Sequence, residues 1–396
     1  SDAKQEAVSQ KSLKTDLELA QAALDKIKED AATHKTTLKP LGDISLEDLS
    51  SHFEDIRKKT KATKDYDDAQ NALIQEASGE DIPTFATAPM AAKVDLMAAC
   101  ELIQKSKQVV LIVGGGASLA GDAILELAQK TQAQVLTTVA GKGIVNHEYA
   151  HLKGSILCLS AGWEIVANAD LVIAIGTELA ETDFWRDRID INGQLIRIDI
   201  DASCFTGRYD CTIGLHGDAK VTLEALNTLM PTTSAVRTSK SDSIRSEITN
   251  SLEPLQQQHL QIIETVLKVL PANAVVSSDM TQLAYSANYL MPMKQARRWL
   301  HPTGYGTLGF ALPAGIGAQI ACETDPVLVI VGDGGILYTL TELATAHEEV
   351  KGALVILLWN NQALGQIRDD MLARNIEPIG VLPKAPRFED LCKGFN

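Results

Sequence analysis

The sequence predicts an α/β fold: two doubly wound parallel-sheet domains preceded by a helical N-terminal extension. From about residue 81 onward, short continuous apolar runs alternate with helical patterns. Strands that are apolar along their whole length belong to parallel sheets covered on both faces. Residues 1–80 lack this texture, being dense in Lys, Asp, Glu, Gln and Ala. A Ser/Thr-rich stretch, MPTTSAVRTSKSDSIRS, then divides the remainder into two α/β units.

In the first segment, LKTDLELAQAALDKIKED places Leu17, Leu19, Ala20, Ala23, Leu24 and Ile27 near the period of an amphipathic helix. SLEDLSSHFEDIRKKT opens with Ser45 three residues before Asp48, a cap-like start, and carries a stripe of Leu46, Leu49, Phe53 and Ile56. So little apolar face favours a solvated helical extension over a hairpin or partner-binding helix. GEDIPTFATAPM, with Pro83 and Pro89, reads as a linker. The central domain, residues 81–228, has strands in QVVLIVGGG, AQVLTTV, ADLVIAIGT and GQLIRIDID. The C-terminal domain, residues 245–396, has them in AVVSSDM, PVLVIVGDGG and ALVILLWNN.

The chain of 396 residues is long enough for two or three cores, and its 45% hydrophobic and 22% charged content is that of a globular protein. A net charge of −15 argues against nucleic-acid and anionic-membrane partners. No segment reaches transmembrane length, and SDAKQEAVSQ has no signal-peptide core or initiating Met, which suggests processing or a fragment. Six scattered cysteines without a C-x-x-C pair suit reduced thiols in the cytoplasm or an organelle matrix.

Gly114, Gly115 and Gly116 join a strand to a helix, a turn that can approach a phosphate. The spacing is not G-x-G-x-x-G and no acidic ribose partner is identifiable, so FAD or ADP binding stands beside simple tight-turn formation. Gly176, Thr177, Asp199 and Asp201 end other strands of that unit. In the last unit, VLVIVGDGGILYTL ends a strand at Val331 and turns through Gly332, Asp333, Gly334 and Gly335 into a helix. After 25 further residues, ALVILLWNN ends at Asn360 and Asn361. A carboxylate and an amide oxygen at neighbouring strand ends suit Mg²⁺, which takes one or two protein carboxylates and leaves room for phosphate. The glycines let phosphate oxygens reach backbone N–H groups.

GDG followed by NN at this spacing resembles the signature of thiamine diphosphate-dependent enzymes. GYGTLGFALPAGIGA is similar to their cofactor-supporting loop, and the stretch from PMAAKVDLMAAC to LIRIDID resembles the central domain of acetolactate synthase-like members. SDMTQLAYSANYL, HPTGYGTLGFALP, LWNNQALGQIRDDM and IEPIGV most resemble the branch containing 5-guanidino-2-oxopentanoate decarboxylase. The resemblance covers residues 82–396 and implies a decarboxylase or acetolactate synthase-like carboligase that uses thiamine diphosphate and Mg²⁺ on a 2-oxo acid. It implies Asp333, Asn361 and the backbone oxygen of Ala363 as metal ligands. Gly332, Gly334, Gly335, Gln282 and Thr281 would contact the diphosphate, and Leu308, Met280 and Gly306 would hold the cofactor's rings. A homo-oligomer, dimer or tetramer, is also implied.

Other residues have ordinary readings. His301 suits a satisfied loop residue, Glu342 and His347, on the helix after GDG, packing or surface positions, and Arg297 and Arg298 ion pairs rather than substrate contacts. The family's N-terminal domain supplies a Glu that activates the pyrimidine ring. No counterpart is found here: His147–Glu148 falls in the central domain, so the catalytic Glu is unassigned. FEDLCKGFN also ends before the family's last elements. A non-catalytic protein retaining the Mg–diphosphate half-site, and an FAD- or NAD-binding oxidoreductase, are the alternatives.

Overall fold

The computed structural model describes residues 88–231 and 243–394. The expected N-terminal helices and most of the Ser/Thr-rich linker lie outside the described residues. Helix α1 (Lys93–Lys105) leads into β1 (Val109–Val113), followed by α2 (Gly121–Thr131), β2 (Gln134–Thr137) and β3 (Leu152–Gly154). Next come α3 (Ser160–Ala167), β4 (Leu171–Ile175), the single turn α4 (Glu181–Phe184), β5 (Gln194–Asp199), β6 (Ile213–His216) and α5 (Ala219–Leu229). All neighbours in this sheet are parallel, in the order β3-β2-β1-β4-β5-β6.

The second part opens with α6 (Ser243–Asn250) and α7 (Pro254–Val269), then β7 (Val275–Ser278), α8 (Gln282–Leu290) and β8 (Trp299–Leu300). It continues through α9 (Ala311–Ala321), β9 (Val327–Gly332), α10 (Asp333–Ile336), α11 (Glu342–Glu349), β10 (Leu354–Trp359), α12 (Gly365–Ala373) and α13 (Phe388–Gly394). Its sheet is also parallel, in the order β10-β9-β7-β8.

Period-two alternation explains why continuous apolar runs make central strands. Val109, Leu111 and Val113 of β1 enter one core cluster, while Val110 and Ile112 enter another on the opposite face. In β9, Val327, Val329 and Val331 join one cluster, and Leu328 and Ile330 the other. Each sheet therefore buries both faces, as the doubly wound architecture requires.

One expectation needs correction. The helix after GDGG is a single turn, with tight bonds from Tyr338 N to Gly335 O and from Thr339 N to Ile336 O. Glu342 and His347 therefore lie on a separate helix, α11. Two consecutive glycines are weak helix formers, which accounts for the early stop.

The described residues form one compact unit, and one contact joining its two sheets is unusual. Lys142, in the loop after β2, is 5% exposed, and its Nζ donates to the carbonyls of Ala287 (2.9 Å) and Asn288 (3.1 Å) on α8. The same Nζ sits 3.8 Å from the centre of the Trp299 ring. Gly143 follows at φ +78°, where an added Cβ would lie 2.1 Å from Gln295 O. Glycine is required at that point of contact.

Candidate functional site

In each sheet the strand order reverses once, and crevices form at such points beyond the strands' carboxyl ends. In the first sheet the reversal lies between β1 and β4, and the loops there close on each other. Gly114 N donates to Ile175 O (2.9 Å) and Gly116 N to Gly176 O (3.0 Å). A Cβ on Gly114 would lie 2.2 Å from Gly176 O and 2.5 Å from Thr177 Cβ. The glycines thus let two backbones touch, and the Gly114 and Gly116 amides are already bonded within the protein.

The second sheet reverses between β7 and β9, and the sequence-predicted residues gather there. Asp333 begins α10 directly beyond β9 and is 1% exposed. Its Oδ2 is buried without a hydrogen-bond partner among the described residues. An orphaned carboxylate oxygen at a crevice is expensive unless a cation completes it.

Trp359 of β10 pairs with Gly332 of β9, so Asn361 emerges on the neighbouring strand end. Its Oδ1 accepts from Ala363 N (3.1 Å), and its Nδ2 donates to Gln282 Oε1 (3.1 Å). Gln282 Nε2 in turn donates to Asp369 Oδ2 (3.1 Å). Gln282, expected to meet a diphosphate, is therefore held by two neighbouring side chains. Thr281 occupies the N-cap position of α8 without a side-chain capping bond, and its Oγ1 lies 3.0 Å from where a Cβ on Gly332 would stand. A Cβ on Gly334 would meet Leu364 Cδ2 at 2.6 Å. One on Gly335 would lie 2.3 Å from Asp279 Oδ2 and 3.7 Å from Leu308 Cδ2. Gly306 has φ +72° and lies against Met280 Cε. The donor set and the bare glycine turn fit a metal-bound diphosphate.

Asp279 was not singled out in the sequence. It is fully buried, and its carboxylate accepts from Gly309 N (2.9 Å) and Phe310 N (3.1 Å), fixing the loop that carries Gly306 and Leu308. Burial raises its pKa, and the backbone N–H bonds oppose that shift. The sequence signal available was the carboxylate directly after the short β run AVVSS.

A cavity of about 670 Å³ opens beside this crevice, reached by Met280, Gln282 and Gly306 on one side and by Cys158 and Trp185 on the other. His301 also lines it. Trp299 Nε1 donates to Asn288 Oδ1 (3.1 Å), which leaves Asn288 Nδ2 to donate to His301 Nε2 (3.2 Å). His301 Nδ1 then carries the proton and donates to Ser278 Oγ (2.9 Å). Burial first, then the nearby Lys142 charge, lowers the His301 pKa to about 4. His301 is thus a neutral, fully bonded wall residue.

Arg298 forms an ion pair with Asp325 (2.8 Å), and Arg297 Nε donates to Ser118 Oγ (3.1 Å). Both arginines are engaged away from the crevice. Among the described residues, no group of three or more His, Cys, Asp or Glu side chains forms a metal cluster. No helix of the described residues is long and apolar enough to cross a membrane.

The pattern for the central domain of thiamine pyrophosphate enzymes matches residues 96–226, and that for their C-terminal TPP binding domain matches residues 279–395. A Pseudomonas aeruginosa protein described as "Probable 2-ketoarginine decarboxylase AruI" is 50% identical over 304 residues, 76% of this chain and 54% of that protein. The large subunit of acetolactate synthase isozyme 1 from Escherichia coli K12 is 26% identical over 342 residues, 83% of this chain and 60% of that one. An acetolactate synthase large subunit from Pyropia yezoensis is 29% identical over 319 residues, 76% and 53% respectively. The chain therefore spans between half and two thirds of the length of these relatives.

Proposed function

Since the chain belongs to the thiamine pyrophosphate enzymes, we propose that it provides the diphosphate- and metal-binding part of a 2-oxo acid decarboxylase. The observation that carries this reading is the buried, unpartnered Asp333 Oδ2 at the reversal of the second sheet, beside Gly334, Gly335 and Asn361. In this reading Asp333, Asn361 Oδ1 and the Ala363 backbone oxygen hold Mg²⁺. The amides of Gly334 and Gly335, with Gly332, Thr281 and Gln282, receive the diphosphate. Met280, Leu308 and Gly306 face the rings. Bound there, thiamine diphosphate supplies the electron sink for loss of CO₂ from a 2-oxo acid.

The 50% identity to a protein named as a 2-ketoarginine decarboxylase favours decarboxylation over carboligation. The family's activating Glu is assigned to no residue here, and activity requires it from another segment or chain. A dimer or tetramer and a cytoplasmic or organelle-matrix setting belong to the same proposal. In the central domain the Gly114–Gly116 turn is assigned to packing rather than to FAD or ADP, because its amides bond the neighbouring loop. The oxidoreductase alternative loses its site by the same observation.

Calorimetric titration with Mg²⁺ and thiamine diphosphate, followed by turnover assays on pyruvate and 2-oxo-5-guanidinopentanoate, tests the reading. Saturable binding abolished by Asp333→Ala supports the site. Turnover is decisive only once the activating Glu is supplied by another segment or chain, and absence of binding rejects both this reading and the non-catalytic alternative.

A further inference from the structure

The cavity beside the crevice has a second end whose chemistry differs from the diphosphate site. Trp185 forms part of this wall and is 53% exposed, with its backbone at φ +52°. A bulky residue at positive φ is strained, and such strain persists where the surroundings or a function demand it. Its ring meets Tyr285 of α8 edge-on, with centroids 5.9 Å apart at 83°. Tyr289, one turn further along α8, and Tyr305, 93% exposed, line the same space.

The charges around this wall are one-sided. Among the described residues that line the cavity, Glu253, whose side chain also takes part in the capping box of α7, is the one carboxylate, and none is Lys or Arg. The two lining histidines do not supply positive charge, since burial holds both His259 and His301 down to about 4. Lys142 acts electrostatically on the lining residues Cys158 and His301, but burial lowers its own pKa, and its Nζ is directed at two carbonyls and the Trp299 ring. The arginines beside Trp185 are engaged on other rings: Arg186 lies 4.2 Å from Trp163, and Arg188 5.0 Å from Tyr209. The cavity rings thus lack a cation, and a carboxylate stands at the rim.

We infer that the Trp185–Tyr285 corner, with Glu253, is the specificity subsite for a planar cationic side chain of guanidinium type on the 2-oxo acid. This rests on the decarboxylase reading for the reacting end of the substrate. A guanidinium gains from aromatic faces in a partly desolvated cavity, and a neutral group of the same shape does not. Because Met280, Gln282 and Gly306 line the same cavity, a molecule with its carbonyl there can extend its side chain towards Trp185.

The test compares 4-guanidinobutanoate with its neutral isostere 4-ureidobutanoate, both non-reacting, by ligand-observed NMR on the full chain. The guanidinium compound is expected to bind about tenfold more tightly. Trp185→Leu should remove most of that preference and Trp185→Phe retain it, with circular dichroism unchanged in both. Glu253→Gln, which retains an oxygen for capping α7, should weaken it severalfold. Equal affinity for the two compounds, or a preference that survives both Trp185→Leu and Tyr285→Leu, overturns the inference. The Mg²⁺–thiamine diphosphate titration, run in parallel, separates the two readings. Cofactor binding without charge preference rejects this subsite alone, and charge preference without cofactor binding rejects the decarboxylase reading.

Discussion

Replacing Asp333 by Asn should stabilise the protein without metal and destabilise it with metal, relative to the parent. Asp333 is 1% exposed and its Oδ2 has no partner among the described residues. A buried, unsatisfied polar group costs about 1–3 kcal/mol, and more when charged. The amide removes the charge at nearly constant shape, so the metal-free variant should gain at least about 1 kcal/mol, a Tm rise of roughly 1–2 °C for a chain of 396 residues. The parent, at a hundredfold excess of Mg²⁺ and thiamine diphosphate over their Kd, should gain about 2.7 kcal/mol by mass action. The variant should gain little, so the two melting temperatures exchange order between the two conditions. Thermal unfolding with EDTA, and again with Mg²⁺ and thiamine diphosphate, reads both. A variant that melts below the parent without metal, yet shows the parent's full cofactor shift, would refute the reasoning.

Asp279→Ala leaves the Gly309 and Phe310 amides without their acceptor, and should cost about 2–5 kcal/mol in urea unfolding. Asp279→Asn, keeping one acceptor oxygen, should cost less. Burial raises the Asp183 pKa from 3.8 to about 6, so the folded state holds its proton more tightly and loses stability as pH rises through that window. His259 and His301, lowered from 6.5 to about 4, act oppositely, and their contribution is lost as pH falls from 6.5 towards 4. Two histidines outweigh one aspartate, so acidification should destabilise the parent. Asp183→Asn should steepen that loss and His301→Asn lessen it, each by up to about 3 kcal/mol in chemical denaturation at pH 4.5 and 7.5. Gly114→Ala forces a Cβ to within 2.2 Å of Gly176 O, and should cost at least about 3 kcal/mol or abolish soluble expression. Gly317→Ala, in open space on α9, should stabilise by about 0.5–1 kcal/mol.

Much of the fold was legible because parallel strands buried on both faces leave an unmistakable record: VVLIV, LVIAI and VLVIV are apolar at every position. The proposed cofactor site rests on a related pattern. Asp333 and Asn361 each interrupt such a run at its end, where a polar group breaks the apolar pattern. The broken helix after Ile336 was less legible, since Leu340, Leu343 and Ala346 preserve a helical pattern across the break. Asp279 and Lys142 were missed because their partners are backbone groups far along the chain. A carboxylate that accepts from Gly309 and Phe310 carries no local pattern, and neither does an ammonium seated on the carbonyls of Ala287 and Asn288. The glycines at 114–116 suggested either a phosphate cradle or a tight turn, which share a composition; in the structure the Gly114 and Gly116 amides bond the neighbouring loop.

The brace formed by Lys142 has a mechanical consequence for the cavity. Trp185, Cys158 and Val139 line it from the first sheet's side, and Tyr285, Met280 and His301 from the second's. Such a gap has no intrinsic width: it is as wide as the spacing between its two walls. Lys142 fixes that spacing from within, anchored in one wall and bonded to α8 in the other, and α8 also carries Gln282 and Tyr285. A rigid tie at this point sets the calibre of the gap and the pose of the helix together, so the two ends of a bound molecule are gauged by one strut.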